Sequence, residues 1–216
     1  MFKKLLVSVI TAAALTASAA SAATLSLHGT GQSHVVTNND VLGGLNNTSI
    51  AMITGDQKDA TNGLFLDIVS SAAEITYTFL GAEAGNSNFS SSGSSLMFDN
   101  RGPSYTAVGA QFTATQLVSG LLDFAFGTYA PYWAAGFFNN AGFADAPTSE
   151  YAMGFVAVSA TRFYVLFDDI ARGDKDFDDL VIQIDVAAVP LPAGMLLLLS
   201  AFGAAMVFRQ RRAVPA

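Results

Sequence analysis

The fold is decided by two stretches near the C-terminal end of the chain, Arg162-Phe163-Tyr164-Val165-Leu166-Phe167 and Leu180-Val181-Ile182-Gln183-Ile184-Asp185-Val186. In both stretches an apolar side chain recurs at every second position. Successive side chains of a β-strand point to opposite faces, so this period indicates strands with at least one buried face. The sequence therefore predicts two strands joined by the acidic segment between them.

The same alternation recurs earlier, at 74–79 and 122–126, and shorter strand candidates lie at 64–69, 96–98, 107–113 and 154–160. Turn-forming residues separate these segments, and the Ser/Gly/Asn run at 86–95 is predicted to be a solvated surface connection. Eight or more short strands predict an all-β domain, an antiparallel β-sandwich that is jelly-roll-like.

The composition excludes several classes of protein. The chain has 216 residues, of which 51% are hydrophobic and only 12% charged, with a formal net charge of −7. A basic nucleic-acid binder is excluded by this charge. The chain has no Cys, which excludes disulfides, thiol nucleophiles and Cys-ligated metals. An exported chain of this kind must be held together by core packing or by a metal ion.

Residues 1–22 have the pattern of an export signal. Lys3 and Lys4 precede an apolar stretch from Leu5 to Leu15, and the small residues at 17–22 supply cleavage sites, of which the bond after Ala22 is preferred. We therefore expect the mature chain to begin at residue 23.

The other end carries a second membrane-related pattern. Val189-Pro190-Leu191-Pro192-Ala193 is followed by an apolar run from Met195 to Phe208, and then by Arg209, Arg211 and Arg212. As a helix the run spans only ~21 Å, so it is a marginal membrane span. The basic residues after it favour a cytoplasmic tail, with the body of the chain outside.

This tripartite pattern resembles a PEP-CTERM sorting signal, in its Val-Pro-Leu-Pro-Ala variant. The resemblance implies a Gram-negative source, a membrane-embedded exosortase-type processing enzyme as a partner, and delivery to the cell surface or an exopolysaccharide matrix. An ordinary single-pass anchor is the alternative. The predicted organisation is a signal peptide at 1–22, a β-sandwich domain at 23–188 and a sorting signal at 189–212.

The predicted mature domain is strongly acidic. Five of the ten basic residues lie in the two targeting segments, so residues 23–188 keep five basic residues against all seventeen acidic ones, a formal charge of −12. This charge favours divalent cations or neutral glycans as partners.

Six carboxylates lie within the twelve residues between the two deciding strands: Asp168, Asp169, Asp174, Asp176, Asp178 and Asp179. Two like charges ~4 Å apart repel by ~4 kcal/mol at an effective dielectric constant near 20, so converging carboxylates need protonation, basic partners or a cation. Ca²⁺ accepts several oxygen ligands with flexible geometry. The spacing predicts weak Ca²⁺ binding through Asp169, Asp174, Asp176 and Asp178, with Asp179 capping the turn or supporting a ligand. A solvated acidic turn is the alternative.

The same hairpin resembles the C-terminal signature of the DUF4114 family of secreted bacterial domains. The resemblance rests on Phe163 to Asp169 and on Gly173 to Val181. The chain departs from the family pattern at Asp178, where Asn is frequent, and at Ala171-Arg172, where further Gly is usual. The resemblance implies no known activity, but it does imply an exported surface protein.

No catalytic signature is found in the sequence, which predicts a protein that is not an enzyme. His28 and His34 are predicted to be exposed loop residues. A carbohydrate-binding module is the alternative function, because Tyr129, Tyr132 and Trp133 offer rings that can stack on sugars. The dense aromatic cluster from Phe124 to Phe138, to which they belong, is more typical of a core. The expected function is therefore a non-enzymatic surface or biofilm-matrix protein.

Overall fold

The computed structural model describes residues 22–29, 32–69, 72–83, 87–101, 105–129, 137–141, 151–169 and 176–189. These residues contain fourteen strands and one short 3-10 helix, Gly43–Leu45. The strands are β1 Ala23–His28, β2 Gln32–Val35, β3 Ser49–Thr54, β4 Gly63–Ile68, β5 Ala73–Gly81, β6 Asn88–Ser92, β7 Ser95–Asp99, β8 Gln111–Gln116, β9 Gly120–Leu121, β10 Ala125–Thr128, β11 Phe137–Asn139, β12 Ala152–Ser159, β13 Arg162–Asp168 and β14 Leu180–Ala188.

The strands pair antiparallel in three sheets. The largest has the order β2-β3-β12-β13-β14-β5-β8, the second β11-β10-β6-β7 and the third β1-β4-β9. The two strands that decide the fold form the predicted hairpin, with Arg162 opposite Asp185 and Phe167 opposite Leu180. The prediction of an all-β, antiparallel domain is confirmed.

All three sheets contribute to one main core. Leu64 of the three-stranded sheet and Phe126 of the four-stranded sheet are fully buried together with Ile182 of the large sheet. Phe126 stacks on Phe167 of the large sheet, with ring centroids 5.2 Å apart. Burying a side chain of this size contributes about 1.5–3 kcal/mol to stability. A core shared between facing sheets is consistent with a β-sandwich.

A second, smaller core lies on the other face of the large sheet. Leu166 and Val181, which alternate with the residues of the main core, are buried here with Phe177 and Val36. The chain between β2 and β3 covers this core and adds partly buried residues such as Leu42. Because both faces of β13 and β14 are covered, these strands are apolar at nearly every position.

The Ser-rich stretch at 86–95 differs from its prediction as a solvated connection. Residues 88–99 form the hairpin of β6 and β7, with Ser91 opposite Leu96, and Asn88 and Ser90 are fully buried. The prediction was wrong because the Asn88 amide is satisfied by hydrogen bonds inside the protein. Its side chain donates to Asp169 and accepts from the Thr128 hydroxyl.

The two histidines lie in strands rather than in loops. His28 ends β1 and stacks on Phe65 with ring centroids 4.2 Å apart. His34 lies in β2, half-buried, with its ring 5.4 Å from that of Phe177. They therefore contribute ring contacts to the fold.

Residues 22–188 form one compact unit, which contains every described strand and both cores. The predicted signal peptide lies outside the described residues except for Ala22. Of the predicted sorting motif, only Val189 is described. No described helix is long and apolar enough to cross a membrane.

Candidate metal centre

The acidic hairpin is described on both sides of its tip. Asp168 is the last residue of β13, Asp169 follows it, and Asp176 to Asp179 lead directly into β14. Asp174, one of the four predicted Ca²⁺ ligands, lies outside the described residues. The other three predicted ligands, Asp169, Asp176 and Asp178, have defined positions.

Asp176 and Asp178 lie together with a third carboxylate, that of Glu83. One ligand oxygen from each residue lies within 4.8 Å of those of the other two. Among the described residues this is the only group of three potential metal-binding side chains with that spacing. Glu83 follows β5 two residues after Gly81, and its backbone N–H donates to the Asp178 carbonyl at 2.8 Å. The backbone pairing of β5 with the lead-in to β14 therefore fixes the position of Glu83.

Asp178 is the buried member of this group. Its exposed fraction is 0%, whereas Glu83 is exposed and Asp176 is half-buried. The Asp40 backbone N–H donates to Asp178 Oδ2 at 2.7 Å, while among the described residues Oδ1 accepts no hydrogen bond from an N–H or hydroxyl donor. Burial of an ionised carboxylate raises the free energy of the folded state unless a positively charged side chain or a cation compensates the charge.

Phe177 holds Asp176 and Asp178 in place. Its side chain is fully buried in the second core, and its φ of +59° turns the backbone in the left-handed region. A bulky residue occupies that region only where surrounding contacts hold it there. The buried Phe177 ring supplies such contacts, so the two flanking carboxylates are carried on a fixed turn.

Asn39 clamps the same turn from the chain between β2 and β3. Its side-chain amide donates to the carbonyl oxygens of Asp176, at 2.9 Å, and of Phe177, at 3.0 Å. Its own carbonyl oxygen accepts the Leu42 N–H, and Asn39 is 1% exposed. Three segments distant in sequence therefore meet at the carboxylate group: the end of β5, the start of β14 and the residues around Asn39.

The electrostatics of the group favour a cation. Burial is the main reason why the pKa of the Asp178 carboxyl is raised to about 7, against the opposing effect of the Asp40 N–H. The Asp176 carboxylate raises this pKa further, through its charge and through a hydrogen bond to the protonated carboxyl, and the charge of Glu83 adds to the effect. Carboxylate oxygens are the ligands that Ca²⁺ and Mg²⁺ prefer. The arrangement can hold a hard divalent cation.

Asp179 points to a separate set of partners. Its Oδ2 accepts the Asp169 backbone N–H at 2.7 Å, which agrees with the predicted role of Asp179 as a turn cap. The Asp169 carboxylate accepts a hydrogen bond from Asn88 at 2.8 Å. Burial, followed by the nearby Asp169 carboxylate, raises the pKa of Asp179 to about 9. Among the predicted ligands the structure thus brings Asp176 and Asp178 together and gives Asp169 other contacts.

Glu83, Asn39 and Asp40 were not predicted to belong to this site. They lie far from residues 176–178 in sequence, and only the sheet pairing brings them close. A correct antiparallel alignment of the strand at 74–79 against the strand at 180–186 would have placed Glu83 beside Asp178, because β5 finishes at the end of the sheet where β14 begins.

The aromatic residues predicted as an alternative glycan site are only partly described. Phe124 and Phe126 are fully buried, as the core interpretation predicts. The Arg101 guanidinium lies 3.9 Å from the centroid of the Tyr129 ring, and the Tyr129 hydroxyl lies 3.2 Å from Asp99 Oδ2. Tyr129 is therefore engaged by protein groups, while Tyr132 and Trp133 lie outside the described residues.

The chain matches no protein-family model, no curated protein and no solved structure.

Proposed function

We propose that this protein is an exported, non-enzymatic module of the cell surface or exopolysaccharide matrix, with a jelly-roll-like sandwich that Ca²⁺ stabilises at Glu83, Asp176 and Asp178. The single observation that carries the Ca²⁺ proposal is the fully buried Asp178 carboxylate, which lies beside two further carboxylates and whose Oδ1 accepts no hydrogen bond from an N–H or hydroxyl donor among the described residues. A bound cation would offset the repulsion between the carboxylates and would supply the missing contact to Oδ1.

Ca²⁺ fits this group better than the alternatives. Zn²⁺ prefers nitrogen and sulfur ligands, and Mg²⁺ demands near-ideal octahedral geometry. Ca²⁺ tolerates an irregular set of oxygens and takes further ligands from water or backbone carbonyls. Of the three protein carboxylates one is exposed, so water molecules can reach the ion and complete its coordination.

The structural role of the cation follows from the segments that it would join. Glu83 ends the β5 side, Asp176 and Asp178 precede β14, and Asp40 binds Asp178 from the chain that covers the second core. In a chain without Cys, a cation that ties these segments would do what a disulfide does in other exported domains.

The exported location is proposed from the sequence at both ends. The signal-like residues 1–22, the Pro motif at 189–193 and the Arg cluster at 209–212 support export followed by exosortase-type processing. The likeness of the acidic hairpin to DUF4114 supports the same location. Mass spectrometry of the protein recovered outside the cell tests it: we expect a C-terminus near residues 190–193. An intact C-terminus with Arg211 and Arg212 in the membrane fraction would establish a plain anchor instead.

The Ca²⁺ proposal is tested by thermal unfolding of a chain of residues 23–188, which spans every described strand and both cores. We expect the melting temperature to rise with Ca²⁺ at millimolar concentration, to rise less with Mg²⁺ and to fall with a chelator. Equal melting temperatures in Ca²⁺ and in chelator would contradict the proposal and leave a solvated acidic turn.

The alternative function, a carbohydrate-binding module, has its own test. Binding of the producer's exopolysaccharide that Trp133→Ala weakens by ~1–3 kcal/mol would support it, because a ring stacked on a sugar contributes about that much. Absence of glycan binding would leave the structural matrix role. Of the proposed sugar-stacking residues, the described Tyr129 already contacts Arg101 and Asp99.

A further inference from the structure

Both ends of the described domain lie at one end of the large sheet. β14 finishes at Ala188, which pairs with Ala73 at the start of β5, and Ala73 pairs with Gln116 at the finish of β8. Ala22 lies at the same place. Its carbonyl oxygen accepts the Val69 N–H at 3.0 Å, and Ile68, the neighbour of Val69, is hydrogen-bonded to Ser119, which follows β8. We call this region, formed by Ala22, Val69, residues 116–119 and Ala188, the tail end of the domain.

The tail end carries the most exposed large hydrophobic side chains among the described residues. Val69 is 77% exposed, Val118 71% and Leu117 68%. Single exposed apolar residues are common, but adjacent ones with this exposure indicate a contact surface. The two segments are adjacent because the Ser119 hydroxyl accepts the Ile68 N–H at 2.8 Å.

A hydrogen bond fixes the backbone of the turn that carries Leu117 and Val118. The Gln116 side-chain amide donates to the Val118 carbonyl oxygen at 2.9 Å, which closes the turn between β8 and β9 around Leu117 and Val118. In this turn both side chains are exposed. The tail end therefore presents a preformed apolar tip.

The charges at the tail end do not suit an electrostatic partner. Of the three basic residues that the structure describes, Arg162 alone lies near it, and Arg162 is paired with Asp185 at 2.6 Å. Glu74, beside Ala73, is exposed. A partner recognised here is apolar rather than anionic.

The continuation of the chain identifies that partner. Six residues, 189–194, separate β14 from the apolar run at 195–208, and six residues span at most ~20 Å when fully extended. A bilayer that holds the apolar run therefore lies within reach of the tail end. We propose that Val69, Leu117 and Val118 contact the lipid surface of that bilayer while the chain is still attached to it; this inference rests on the membrane segment of the proposed sorting signal.

The orientation that results separates the two functional ends of the domain. Ala73 begins β5 at the tail end, whereas Gly81 finishes β5 two residues before Glu83 of the carboxylate group. A tail end that faces the lipid directs the carboxylate group away from it. The Ca²⁺ site then lies in the aqueous phase before and after processing.

The test uses residues 23–216 in phosphatidylcholine vesicles with an environment-sensitive fluorophore on a single introduced Cys, which is specific because the chain has none of its own. The labelled variants are Val118→Cys at the tail end and Leu198→Cys in the apolar run. The matched control is Val108→Cys, because Val108 is 65% exposed but lies far from the tail end. Its neighbour Gly109 donates its backbone N–H to the carbonyl oxygen of Phe79, near the other end of β5.

With lipids that carry a quencher near the headgroup, we expect quenching of the labels at 118 and 198 and none at 108. Quenching at 198 without quenching at 118 overturns the lipid contact and leaves the membrane segment standing. Quenching at 118 without quenching at 198 overturns the membrane segment and, with it, the attached state in which the contact is proposed. No quenching at either position overturns both proposals, and equal quenching at 108 and 118 overturns a contact specific to the tail end.

Discussion

Asn39 and Phe177, 138 residues apart, are joined by a buried hydrogen bond of 3.0 Å from the Asn39 side-chain amide to the Phe177 carbonyl oxygen. The same amide also binds the Asp176 carbonyl oxygen. One side chain thus fixes the backbone on which two of the three clustered carboxylates are carried. The position of the candidate metal centre depends on a residue that provides no ligand to it.

Replacement of Asn39 tests this dependence. Asn39→Ala leaves buried carbonyl oxygens without a donor, so we expect the free energy of unfolding to fall by about 1–3 kcal/mol. We also expect weaker Ca²⁺ binding, because the turn at 176–178 is no longer held. Denaturant unfolding and calcium titration measure the two effects. Thr37→Ala, at an exposed position nearby, is the control; a similar loss in that variant would argue against a specific role for Asn39.

Asp178→Asn separates the metal from the fold. The amide oxygen can still accept the Asp40 N–H, while the buried negative charge is removed, so we expect the variant to match or exceed the wild-type stability in chelator. We expect it to lose the gain from Ca²⁺, which for the wild type is ~1.4 kcal/mol at a tenfold excess of Ca²⁺ over Kd.

Glu74→Gln is the control for Asp178→Asn because it makes the same change of charge at the tail end. It should keep the full Ca²⁺ response in the same thermal melts. A Ca²⁺ response that persists in Asp178→Asn would remove Asp178 from the ligand set.

The pH dependence of stability follows from the raised pKa values of Asp178, about 7, and Asp179, about 9. The folded protein binds protons at these carboxyls that the unfolded chain, with a pKa near 3.9, releases, so without metal the unfolding free energy falls as pH rises above about 4. Ca²⁺ competes with the proton at Asp178, so its stabilisation should grow as pH rises through about 7. Thermal melts at several pH values in chelator and in Ca²⁺ measure both slopes. Stability in chelator that rises from pH 5 to 8 would contradict these pKa directions.

Gly154 tests the support behind the turn. A Cβ atom at this position would lie 2.5 Å from Ile50 Cδ1 and 3.0 Å from Phe177 Cδ1. Gly154→Ala should therefore displace the end of the Ile50 side chain, press on the Phe177 ring and lower the unfolding free energy by about 1–3 kcal/mol. Gly44→Ala is the control, since a Cβ there meets no atom within 4 Å. If both variants unfold at the same denaturant concentration, the packing of Phe177 against β12 is not critical.

The alternation of apolar residues predicted the central part of the fold. Phe163, Val165 and Phe167 enter the main core as their spacing indicates, and the hairpin with β14 forms in the expected position. Such prediction works because a shift of one residue would move Phe163, Val165 and Phe167 to the other face of the sheet.

Other parts of the fold could not be predicted, for identifiable reasons. Asn88 is buried because its side-chain amide forms hydrogen bonds with Asp169 and Thr128. These partners are distant in sequence, so the local composition does not indicate them. The strand predicted at 107–113 begins instead at Gln111, because Val108 and Gly109 form a turn with a φ of +87° at Gly109.

The candidate site was half predicted. The D-x-D spacing identified Asp176 and Asp178, since neighbouring residues carry their own signal. Glu83 joins them through the pairing of β5 with β14, which lies beyond any local pattern. A site assembled across a sheet requires the strand order, and the strand order was not available from the sequence.

The place of β14 has a mechanical consequence. This strand continues directly into the C-terminal tail, and it is paired with β13 from Leu180 to Asp185 on one side and with β5 from Val181 to Ala188 on the other. Tension along the tail therefore acts in shear on two ladders at once, and many bonds share the load instead of opening one after another from an edge. Whatever holds the chain beyond Val189 pulls on a strand in the interior of the sheet.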